Sequence, residues 1–104
     1  MSTRKKIPYG QPIDVAFTDR ERALISEHTF ADPELTAPLD AAERRGTKFI
    51  AKYTLDDLDA LLGFVAAEAN HTKDRKLEKQ LRAIFARLSE EMERYDDGQW
   101  QSSF

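Results

Sequence analysis

No cysteine occurs in this chain, which excludes disulfides, thiolate nucleophiles and every cysteine-ligated zinc site, and fits a reducing compartment. Glycine is scarce, at four residues, and none of the glycine-rich signatures that cradle phosphates or form a nucleophile elbow is present. Nor is there a long apolar run. Met1 to Lys6 is basic, but Ile7-Pro8-Tyr9-Gly10 after it lacks the apolar core of a secretory signal, so a cytoplasmic protein with no membrane partner is expected. On that reading the Asn70-His71-Thr72 sequon is a coincidence within a turn. A surplus of positive charge is missing too: 16 Lys and Arg stand against 19 Asp and Glu, a net charge of −3. Binding to phosphate backbones would therefore need a local patch.

What is present suits one small folded unit. A chain of 104 residues with 40% hydrophobic and 34% charged side chains can bury one core and still face water. The expected organisation is a flexible basic arm over 1–11, a single globular domain over 12–96 and a flexible tail over 97–104. The expected fold class is α+β, mainly α.

Ile13, Val15 and Phe17 alternate with Asp14 and Ala16, the pattern of a short strand over 12–17. Thr18-Asp19-Arg20-Glu21 then matches a capping box, predicting a short helix over 19–29. Asp32-Pro33 is a good helix start, but Pro38 should interrupt it. A single turn followed by a second short helix over 39–45, stopped by Gly46, is the resulting expectation. Phe49, Ile50 and Tyr53 mark a second strand over 48–53, paired with the first in a small two-stranded sheet.

Thr54 as cap, Asp57 three residues on, and Tyr53 opposite Leu58 as a staple agree on a helix over 55–70. After the polar turn at Asn70-His71-Thr72, Leu77, Leu81, Ile84, Phe85, Leu88, Met92 and Tyr95 recur at helical spacing, predicting a helix over 74–95. So short a link predicts that the two form a C-terminal antiparallel two-helix hairpin. Asp96-Asp97-Gly98 should stop the second. The aromatic-Thr-x-x-acid pattern at both 17–21 and 53–57 reads as the same capping physics used twice rather than an ancient repeat.

The chemistry on offer is thin. Glu68-x-x-His71 has the spacing that places two ligands on one helix face, but di-iron bundles need a second such pair, and residue 25, three before the other histidine, is isoleucine. Asp56, Asp57 and Asp59 sit where a helix N-terminus favours acids. The expectation is accordingly no enzyme, no cofactor, no catalytic residue and no bound metal; a metal or hydrolytic site near Glu68 and His71 stands as a third reading. Lys73, Arg75, Lys76, Lys79 and Arg82 form a basic run, five cations against two anions over 73–82. With Arg4, Lys5 and Lys6 it supports an alternative reading as a nucleic-acid-associated regulator. Glu90, Glu91 and Glu93, with Asp96 and Asp97 against Arg94, make 88–97 acidic. This polarity would be self-complementary between antiparallel copies of the helix. The leading expectation is thus a small non-enzymatic protein-interaction module, a homodimer through its hairpin or a binder of another protein, with Trp100 of the tail as a further contact residue. Gly63, Ala66, Ala67 and Ala69 would permit close approach of another helix, although packing within the chain explains them equally well.

Overall fold

In a computed structural model, which describes residues 4–98, the elements run β1 (Lys5–Lys6), β2 (Ile13–Thr18), α1 (Asp19–His28), α2 (Pro33–Asp40), β3 (Glu43–Arg45), β4 (Lys48–Tyr53), α3 (Leu55–His71), α4 (Arg75–Glu93) and β5 (Tyr95–Asp96). The class is α+β and mainly helical, with two small sheets. No helix among the described residues is long and apolar enough to cross a membrane.

β2 and β4 pair antiparallel, Ile13 opposite Tyr53 and Thr18 opposite Lys48. The alternation read from the sequence sends Ile13, Val15 and Phe17 into the core, packed with Ala51 and Tyr53. Asp14 and Lys52, on the outer face, form an ion pair at 2.9 Å that holds the Asp14 carboxyl below its ordinary range. Thr18 caps α1 through the full reciprocal box, its hydroxyl accepting from the Glu21 amide and its own amide donating to Glu21. Thr54 caps α3 by accepting the Asp57 amide at 3.1 Å, a single cap rather than a box.

The segment between α1 and β4 differs from expectation. α2 runs straight through Pro38, and of the second helix expected over 39–45, Leu39 and Asp40 complete α2 while Glu43–Arg45 make β3, the third strand of the β2-β4-β3 sheet. Leu35 and Leu39, one turn apart, are both buried, and that anchoring offsets the helical hydrogen bond that Pro38 cannot donate. Two side chains also serve the α2 backbone: Tyr53 donates to the Leu35 carbonyl at 2.5 Å, and Arg22 donates to Leu39 O through Nε and Nη2. Gly46 does take a left-handed φ of +61°. It opens the two-residue turn between β3 and β4, in register Arg45 to Lys48, rather than closing a helix.

The N-terminal boundary also moves. Residues 1–11 are not all a loose arm, because Lys5 and Lys6 pair in parallel with Tyr95 and Asp96 and Ile7 is buried in the core. Lys5 N donates to Arg94 O at 2.7 Å and Ile7 N to Asp96 O at 2.9 Å. α4 accordingly ends at Glu93 rather than at 95, since Tyr95 is taken into β5. At the other boundary Asp97, expected to begin the flexible tail, is buried; residues 99–104 of the predicted tail lie outside the described residues.

α3 and α4, linked by residues 72–74, share the largest helix–helix contact among the described residues. Leu55, Leu58, Leu61, Leu62, Val65 and Ala69 meet a core that receives Leu77, Leu81, Ile84, Leu88 and Met92 from α4. Phe85 and Tyr95 are only partly buried against it.

Tyr53 supplies a pH signature. Burial, followed by the nearby charges of Asp40 and Asp57, pushes its phenol well above the ordinary value. The unfolded phenol loses its proton near pH 10 while the folded one holds it, so this stabilisation is complete below about pH 10 and is lost as pH rises towards the folded value. Urea unfolding is expected to show a midpoint that falls above about pH 10. Tyr53→Phe should remove most of that slope and cost about 1 kcal/mol at neutral pH, through the unpaired Leu35 carbonyl.

Candidate functional site

α4 places its charged side chains by the same periodicity that buries its leucines. Lys76, Lys79, Ala83, Ala86, Glu90 and Glu93 follow one another at steps of three and four, and all six are exposed. At about 100° per residue they form one ridge diametrically opposite Leu77, Leu81, Ile84, Leu88 and Met92. The ridge reads cation, cation, alanine, alanine, anion, anion.

Arg75 and Arg82 flank its basic half. Arg82 is committed within the chain, with Nε on Glu78 Oε2 at 2.9 Å and Nη2 on Asn70 Oδ1 at 3.0 Å. Lys73, immediately before the Asp74 cap, is exposed, and so are Arg75, Lys76 and Lys79; none of these four takes part in an ion pair among the described residues. Glu91 is not part of the acidic half, since it turns towards the core edge, with a side chain only 19% exposed, and pairs with Arg94 at 3.3 Å. Trp100 lies outside the described residues.

The order of charge along α4 opposes the helix dipole, which favours acids at the start and bases at the end. The first turn holds a single acid, Glu78, and the last turn no base. Each exposed charge so placed costs a few tenths of a kcal/mol, and the buried stripe outweighs them.

Arg4, Lys5 and Lys6 are not brought to the basic run. β1 pairs with β5, beyond the acidic end of α4, and the 13 residues from Arg82 to Tyr95 correspond to about 20 Å of helix axis. Glu68 and His71 line a cleft of about 290 Å³ with Phe30, Phe64 and Ala67, and among the described residues no group of three or more His, Cys, Asp or Glu side chains is placed to hold a metal ion.

Two arginines tie the sheet to its helices. Arg87 of α4 grips Glu21 of α1, with Nε 2.7 Å from Oε2 and Nη2 2.8 Å from Oε1, and also donates to Ala16 O at 3.0 Å. Arg22 lies 3.9 Å over the Phe49 ring. Tyr9 donates to Asp56 Oδ2 at 2.6 Å, and that bond to an anionic acceptor raises its phenol above the ordinary value.

Sequence reasoning missed Phe30 and Phe64. The available signal was negative: Phe64 falls outside the apolar stripe of α3, and Phe30 sits in a polar link before Asp32-Pro33. No family model, curated protein or solved structure matches this chain.

Proposed function

We propose that this protein is a small non-enzymatic interaction module whose two long helices form an antiparallel hairpin, and that it self-associates through the outward ridge of α4. The observation that carries the reading is the order of that ridge: Lys76, Lys79, Ala83, Ala86, Glu90 and Glu93, all exposed. Under a twofold axis midway between Ala83 and Ala86, an antiparallel copy sets Lys79 beside Glu90 and Lys76 beside Glu93 twice over, and the alanines let the two helices approach closely. The hairpin is supported by Arg82 reaching back to Asn70 across the short link. Exposed charge pairs contribute about 0.2–1 kcal/mol each, so the dimer is weak and sensitive to salt.

Sedimentation velocity over a concentration series is expected to show a dimer at low salt that dissociates at high salt. Lys79→Glu or Glu90→Lys alone should abolish it, and the double variant, which restores opposite charges, should bring it back. A strict monomer at every salt concentration, or a dimer indifferent to both reversals, defeats the reading. The exposed cations Lys73, Arg75, Lys76 and Lys79 favour nucleic-acid binding as the second reading. It predicts DNA or RNA affinity that falls steeply with salt and is lost in Lys79→Glu without recovery in the double variant.

A further inference from the structure

The cleft beside α3 combines features that neither the core nor the α4 ridge uses. Phe30, in the link between α1 and α2, is 87% exposed and by far the more exposed of the two large hydrophobic side chains left to solvent among the described residues. Phe64 of α3 lines the same cleft, with Ala67, Glu68 and His71. An aromatic ring left in water forgoes the burial of about 150–250 Å² that a docked partner would supply.

The charge nearby narrows what that partner presents. Glu68 stands one helical turn after Phe64, and its carboxylate has no ion pair among the described residues. Glu68 is the one carboxylate lining the cleft, beside His71, and α3 carries not one Lys or Arg. An anionic side chain would be repelled here, and a purely apolar one would strip water from Glu68 without compensation. A planar cation satisfies both halves of the cleft, since a guanidinium stacks on aromatic faces while its N–H groups meet a carboxylate. The approach is open as well. Ala60, Gly63 and Ala67 are exposed on α3, and a Cβ added at Gly63 would meet nothing within 4 Å. The chain's own packing thus gives no reason for the roughly 1 kcal/mol that a mid-helix glycine costs.

We infer that the cleft between Phe30 and Phe64 binds an arginine side chain of a protein partner, held by ring stacking and by the Glu68 carboxylate. The site rests on the interaction-module reading only in taking a protein partner, and is independent of the α4 ridge.

The test uses the full chain labelled with nitrogen-15 and an alanine-based, end-blocked helical peptide bearing two arginines four residues apart. Companion peptides carry lysine or glutamine at the same positions. Saturable shifts should gather on Phe30, Phe64, Ala67, Glu68 and His71, with the order arginine, then lysine, then glutamine. Affinity should fall about three- to tenfold in Phe30→Ala and in Glu68→Gln, both surface changes that leave the fold intact. Lys79→Glu should leave peptide binding unchanged, so loss of the dimer and loss of this site are read separately. Absence of saturable shifts, shifts confined to the acidic end of α4, or equal binding of the glutamine peptide overturns the inference.

Discussion

Replacing Leu81 with alanine is expected to destabilise the fold by about 3 kcal/mol and to lower the thermal midpoint by about 15 °C. Leu81 is wholly buried, as are Leu58, Leu61 and Leu88 on the α3 and α4 faces. Truncation therefore removes apolar burial and leaves a void that rigid neighbours cannot fill. Leu77, at the start of α4 and 8% exposed, should cost less, because water and the first helical turn can adjust around it. Lys79→Ala, on the opposite face, should stay within about 0.5 kcal/mol. Urea denaturation of the three variants gives the comparison. Equal effects at Leu81 and Lys79 would mean that the buried face of α4 is not buried in solution.

The second large effect is expected at Glu21, where Glu21→Ala should cost about 2 kcal/mol. One carboxylate there closes the α1 capping box and accepts two bonds from Arg87, so a single change opens the box at the Thr18 amide and unpairs an arginine, while the Thr18 hydroxyl still caps the helix. The side chain is only 15% exposed, which limits how far water can replace those bonds. Arg87→Ala should cost somewhat less, since its own side chain is 38% exposed, although Ala16 O then loses a donor on the edge of β2. The double variant should be more stable than the sum of the singles predicts, by about 1 kcal/mol. Strict additivity in a double-mutant cycle would show that the bidentate pair is not formed.

Local signals were legible wherever burial and capping agreed. Ile13, Val15 and Phe17 gave β2; Thr18 and Glu21 gave the start of α1; Thr54 and the leucine stripe gave α3. These features act within a few residues and need no tertiary knowledge. Pro38 misled because its local cost is real but is exceeded by the burial of Leu35 and Leu39, which depends on a sheet no local rule supplies. Glu43, Arg44 and Arg45 gave no strand signal at all, since all three are exposed and only the neighbouring β4 makes them a strand. The Glu21–Arg87 pair and the cleft that Phe30 and Phe64 both line join distant positions and leave no trace in spacing. Of the candidate site, the polarity of residues 73–97 was visible in composition. Its resolution into one ridge, with Glu91 turned away and Arg82 engaged by Asn70, required the helix.

The pairing of Lys5 with Tyr95 closes nearly the whole chain into a loop of about ninety residues, and closing a loop of that length carries a large entropic cost repaid by very few bonds. The β1–β5 clip therefore belongs among the last contacts made during folding and the first released by thermal fluctuation. Its amides should exchange with solvent by a local opening that leaves α3 and α4 packed. β1 and β5 thus act as a latch fastened over a core already assembled.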